Sequence, residues 1–197
     1  MMKRILIVAI SAVVIILAAW FFFLRSDLSI PRPRGYFRID LPEKAYRSYE
    51  STCPMTFDLP QYSKVELFRD HMSNDSCWFN VFFPKFNARL HCTYVPVGDN
   101  LGKLLHDAYG FAAKHEMKAT ALKRTLIADS TAHVFGIIYD IEGEAASQLQ
   151  FFLTDSTSHF FRGSLYFFNS PNPDSIGPVL DFLRDDIVHM TETMRWK

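Results

Sequence analysis

Apolar positions run unbroken from Ile5 to Leu24, twenty residues without a charge behind Lys3 and Arg4. As a helix this stretch spans roughly 30 Å, the thickness of a bilayer's hydrocarbon core. A cleavable leader has a shorter apolar region ending in small residues. Ala18-Ala19 would mimic such a site, but Trp20-Phe21-Phe22-Phe23 continue the run and suit an interfacial aromatic belt. Residues 1–25 therefore read as an uncleaved membrane anchor. Arg25, Arg32 and Arg34 after the run offset Lys3 and Arg4 before it, so charge leaves the orientation open. The short head and long trailing domain have the form of a signal-anchor that exports the domain. Residues 26–35, with Pro31 and Pro33, read as a stiff extended linker.

From residue 36 onwards the period changes. Tyr36 to Pro42, Met55 to Pro60, Lys64 to Arg69, Cys77 to Phe83 and Ala88 to Val95 alternate or are strongly β-prone, most of them stopped by proline, and predict strands. Asp99 is an N-cap for a helix whose apolar face is Leu101, Leu104, Leu105, Ala108, Phe111 and Ala112, running to about Met117. Thr120 to Ala128 and Val134 to Ile141 predict two more strands around an Asp129-Ser130-Thr131 turn. The stretch from Ser147 to Ser175 holds two Phe-, Leu- and Tyr-rich runs around the polar knot from Thr154 to Ser158. It predicts a hairpin covered on both faces, as in the middle of a sheet. Pro178 then sits in the first turn of a second helix, with Leu180, Leu183, Ile187, Met190 and Met194 forming its stripe. Asp181, Arg184, Asp185, Asp186, Glu192 and Arg195 fall on its polar side. The expected fold is α+β: a mostly antiparallel meander packed with two amphipathic helices, residues 36–197 forming one domain behind the transmembrane helix.

Composition narrows the function classes. Lys+Arg and Asp+Glu are equal at 21, which argues against a nucleic-acid binder. Three cysteines are too few for a disulfide scaffold and lack zinc-type pairing. Export of the domain would let Cys53 and Cys77 pair across neighbouring strands, leaving Cys92 as a small buried residue.

The candidate chemistry gathers in the hairpin as Asp155, Ser156, His159 and Arg162. A periplasmic hydrolase would use Asp155, Ser156 and His159 as orienter, nucleophile and base. There is no GxSxG elbow, and the plainer reading has Thr154, Asp155 and Ser156 bonding turn backbone while Arg162 pairs with a carboxylate. None of the seven histidines forms an HExxH pair, and no Walker or dinucleotide glycine pattern is present, so no metal or cofactor is expected. The high count of 19 Phe leaves an apolar small-ligand or lipid carrier as a third class.

Gly35 to Tyr46, Cys53-Pro54, Cys77-Trp78, His115-x-x-Lys118-Ala119, Gly143 to Ser175 and Trp196 together resemble the GldD gliding-motility lipoproteins of Bacteroidota. The TDSxxHFxRGxLYF core is the most distinctive part, and the resemblance runs from about Pro31 to the end. It implies a non-enzymatic envelope protein whose partners are other components of the gliding and type IX secretion machinery. Asp155, Ser156, His159, Arg162, Asn172 and Asp174 would then serve structure or docking. One departure matters: members of that family carry a lipid-accepting cysteine after the leader, whereas Phe21 to Ser26 contains none and the first cysteine is Cys53. The transmembrane reading gains accordingly. Attachment is expected at the inner membrane with the domain in the periplasm, the alternative being outer-membrane association from the periplasmic side.

Overall fold

The computed structural model describes residues 2–24, 39–50, 53–67, 77–114, 119–143, 145–168 and 173–197. The chain divides into two units, Met1–Phe37 and Arg38–Lys197. The first contains helix α1 (Met2–Leu24), whose described side chains, Ile5, Ile15, Ile16 and Trp20 among them, are exposed. Among the described residues no helix is long and apolar enough to cross a membrane. Several α1 side chains, Val8 to Ile10 and Phe22 to Leu24 included, lie outside the description. The spanning reading of Ile5–Leu24 therefore rests on the sequence alone.

In the second unit the β-prone runs pair into two antiparallel sheets. β3 (Lys64–Leu67), β4 (Cys77–Phe83), β5 (Ala88–Pro96), β6 (Ala119–Asp129), β7 (Val134–Gly143), β8 (Leu149–Thr154) and β9 (His159–Phe167) make a seven-stranded sheet in the order β3-β4-β5-β9-β8-β7-β6. Two meanders meet in it: β5 leads through α2 (Leu101–Lys114) to the far edge, and β6 to β9 return until β9 lies against β5. The hairpin β8–β9 thus falls in the middle, and all six residues of β8 are buried. A three-stranded sheet, β1-β2-β10, comes from β1 (Tyr46–Glu50), β2 (Met55–Pro60) and β10 (Arg195–Trp196). The fold is α+β with mostly antiparallel sheets and three helices.

Each face of the large sheet has its own core. On one face β2 and α3 (Pro173–Glu192) cover Phe79, Val81, Leu90, Phe151, Phe161 and Leu165 with Phe57, Leu183, Ile187 and Met190. Phe161 is fully buried there, with the rings of Phe57, Phe79 and Phe151 at 5.7–6.1 Å between centroids. Phe57, Phe79, Phe151 and Phe161 fill this core ring against ring. On the other face α2 lays Ala108 and Ala112 over Tyr139, Ile141, Phe152 and Phe160. Gly163 of β9 is dictated by packing: the Phe151 ring lies so close over the strand that a Cβ there would fall on its atoms. Cys53, just ahead of β2, is bonded to Cys77 at the start of β4, with Cα atoms 6.1 Å apart. The bridge joins β2's end of the small sheet to β4 of the large one.

Several local expectations change. Part of Tyr36 to Pro42 lies outside the described residues and the remainder is not a strand; among the described residues the first strand is β1, in a run whose charge masks its pairing with β2. Asn100, and not Asp99, stands immediately before α2, and its carbonyl accepts the N–H of Leu104. Phe111 is not part of the inward face of α2; it is 41% exposed, because the inward turn is filled by alanines. α3 begins at Pro173, so Pro178 lies inside the helix and not in its first turn.

On α3 two charges expected on the polar side are turned to other work. Asp186 is 1% exposed: it accepts the hydroxyls of Tyr46, at 2.7 Å, and of Tyr62, with Lys44 at 3.5 Å. Burial and that carboxylate push both phenols well above their ordinary pKa, so they stay protonated donors. Arg184 forks onto Asp140 of β7 at 2.7 and 2.9 Å. Arg195 lies in β10, outside the helix.

Candidate functional site

The turn between β8 and β9 is built from its own polar side chains. Asp155 Oδ1 accepts the N–H groups of Thr157, Ser158 and His159 at 2.8–3.0 Å, and Oδ2 accepts the Thr157 hydroxyl at 2.8 Å. Thr154 Oγ1 accepts the Ser156 N–H and donates to the His159 carbonyl. Ser156 is exposed and takes a left-handed backbone, φ 70°, to let the chain reverse. Of the three side chains expected to bond turn backbone, Thr154 and Asp155 do so, while Ser156 contributes its backbone N–H and left-handed φ.

Burial pushes the Asp155 carboxyl up, but the donors from His159, Ser158 and Thr157 outweigh it and hold it at about 2, against an ordinary 3.8. The folded state therefore binds this proton more weakly than the unfolded chain. Its stabilising contribution is fully present above about pH 4 and is lost as pH falls towards 2. Asp155→Asn keeps an acceptor at Oδ1 but cannot titrate. Urea melts at stepped pH should show a shallower acid loss for this variant; an unchanged acid limb would refute the assignment.

His159 faces away from any such relay. Its Nδ1 lies 2.9 Å from the Tyr94 hydroxyl, and its ring stacks on Trp196 at 5.0 Å and 8°. Trp196 in turn donates Nε1–H to the His133 carbonyl at 3.0 Å. The histidine thereby pins the C-terminal strand β10 to the centre of the large sheet. No serine–histidine–aspartate relay is assembled among the described residues: Asp155 is occupied by the turn, and His159 by Tyr94 and Trp196. Trp196 had no role in the sequence reading beyond family pattern, since a two-residue strand leaves no periodicity.

Arg162, on β9, departs furthest from expectation. No carboxylate meets it among the described residues. Its guanidinium donates to Ser164 Oγ at 3.0 Å and Gln150 Oε1 at 3.5 Å, and lies 4.1 Å from the centroid of the Phe111 ring. Burial lowers its pKa. Asn172 lies outside the described residues, as do His115 and Lys118. Asp174 is in the first turn of α3, with its side chain outside the description. Among the described residues no group of three or more His, Cys, Asp or Glu is placed to hold a metal ion.

The family model for "Gliding motility lipoprotein GldD" matches residues 26–196. The chain belongs to the GldD family. Membership gives this GldD-family protein a gliding-motility-associated role and a membrane-associated place in the envelope. No curated protein matches it in sequence. Among solved structures it is similar to the solution structure of cyanobacterial PsbP (CyanoP) from Synechocystis sp. PCC 6803. That likeness has 6% identity and a TM-score of 0.49, covering 82% of this chain and 98% of that one.

Proposed function

We propose that the protein is a non-catalytic interaction or assembly module of the gliding motility and type IX secretion machinery. Ile5 to Leu24 holds it in the inner membrane as a single-pass anchor, and the α+β domain works in the periplasm. The observation that carries the non-catalytic part is the fate of the hairpin side chains: Asp155 is spent on three backbone N–H groups, and His159 clamps Tyr94 and Trp196. The apolar α1, with Ile5, Ile15 and Trp20 exposed, is suited to a lipid covering. β6 supports the interaction role as an edge strand of eleven residues with Leu126 78% exposed, the form that accepts a partner's strand or side chains.

Crosslinking the full chain in its native envelope, followed by mass spectrometry, tests this. Other envelope components of the motility or secretion apparatus should be recovered, and recovery of none would remove the reading. Ser156→Ala should leave gliding and secretion intact. Loss of function in that variant with its fold preserved would point instead to hydrolysis.

A further inference from the structure

The register of β5, β9 and β8 brings an unusual set of donors together. Thr93 stands opposite Arg162, His91 opposite Ser164, and Ser164 in turn opposite Gln150. Alternate residues of a strand share a face, so these side chains lie on one side of the sheet. A cleft of about 320 Å³ opens there, lined by His91, Thr93, Arg162, Ser164 and Tyr166. The His91 ring stands edge-on to Tyr166 at 5.3 Å and forms one wall.

What the cleft lacks, among the described residues, is a carboxylate to match its cation. Arg184 and Arg89 each meet a carboxylate, Asp140 at 2.7 Å and Glu66 at 3.1 Å. Arg162 is more buried than Arg184, yet among the described residues it meets a hydroxyl, an amide oxygen and a ring face and no carboxylate. Beside it, Gln150 is 2% exposed and its Nε2 has no hydrogen-bond partner among the described residues. A desolvated cation next to an unpaired buried donor is costly unless something completes them. The larger cleft between β7 and α3 makes the contrast: its Arg184 is already neutralised by Asp140.

We propose that this cleft is a binding site for a phosphate group, with Arg162 as its charged anchor and the hydroxyls of Thr93, Ser164 and Tyr166 as further donors. A guanidinium presents a planar fork that matches phosphate oxygens in a bidentate pair. Three hydroxyls from two neighbouring strands, beside the guanidinium, offer more donors than a carboxylate's two oxygens need and suit a phosphate with three free oxygens. The phosphate is carried by a small soluble molecule or by a lipid headgroup.

The test uses the full chain in neutral detergent, titrated at constant ionic strength with inorganic phosphate, with chemical shifts or calorimetry as readout. Wild type should saturate. Arg162→Gln should weaken binding by about tenfold or more, the loss of a charge-assisted pair. Tyr166→Phe should weaken it by a smaller factor. Without phosphate, Arg162→Gln should melt at or above the wild-type temperature, since an uncompensated cation has been removed. A structural arginine would instead lower the melting temperature. Repeating the titration with short-chain phosphatidic acid separates the sources: tighter binding than phosphate assigns a lipid headgroup, and equal binding a soluble phosphate. No saturable binding of either probe, or binding unchanged by Arg162→Gln, would overturn the site.

Discussion

Phe161→Ala is expected to destabilise the domain by about 4 kcal/mol, within the range for removing a buried phenylalanine. The side chain is fully buried at the meeting point of rings from β2, β4 and β8. Truncation removes the transfer free energy of the ring and three aromatic contacts at once. It also opens a void that neighbours held by two different sheets cannot easily close. Phe161→Leu restores most of the volume and should cost about 1.5 kcal/mol, mainly through lost ring geometry. Urea unfolding followed by tryptophan fluorescence measures both. A loss below about 1.5 kcal/mol for Phe161→Ala would show that the two faces of this core are not mechanically joined there.

The prediction rests on a residue whose importance was only half visible in sequence. That β8 and β9 form a hairpin was legible, because polar turn formers stand between two β-prone runs whose faces both mix polar and apolar types. β4, β5 and β7 were legible for the same reason, local pattern and local structure being in agreement. What escaped was non-local. β1 alternates no better than a loop, and it becomes a strand by pairing with β2. β10 is two residues long and is fixed by Trp196 stacking on His159. Asp186 sits among charges on α3 and reads as surface, yet two tyrosines from the β1 and β2 region close over it.

The candidate site shows the same division. Thr154 and Asp155 as turn-makers followed from residue type and spacing. The partners of His159 and Arg162 did not, since Tyr94, Trp196, Gln150 and Phe111 come from four different elements. A carboxylate partner for Arg162 was the reasonable expectation for a half-buried arginine. Its absence among the described residues is a tertiary fact, and it is what singles that residue out.

Opening the Cys53–Cys77 bridge is expected to cost about 3.5 kcal/mol, the chain-entropy value for cross-linking a loop with a sequence separation of 24. The loop it closes contains β2 and β3 and ends at β4, so the bridge ties the small sheet to the large one beside the Phe57–Phe79 contact. Cys53→Ala/Cys77→Ala should lose this stability in urea melts, and reductant should lower the wild type by a similar amount. Agreement between the two assigns the loss to the bond and not to packing of the buried sulfurs, since reduction keeps both sulfurs and the double alanine variant has neither. Cys92 will not substitute as a partner: it is 3% exposed, and burial pushes its thiol pKa well up, so little thiolate is present to attack. The same bond tests the proposed compartment. Protein taken from cells and alkylated in denaturant without reductant should carry one label, on Cys92. Three labels would mean that the domain matures in a reducing space, and the periplasmic placement would fall with the bridge.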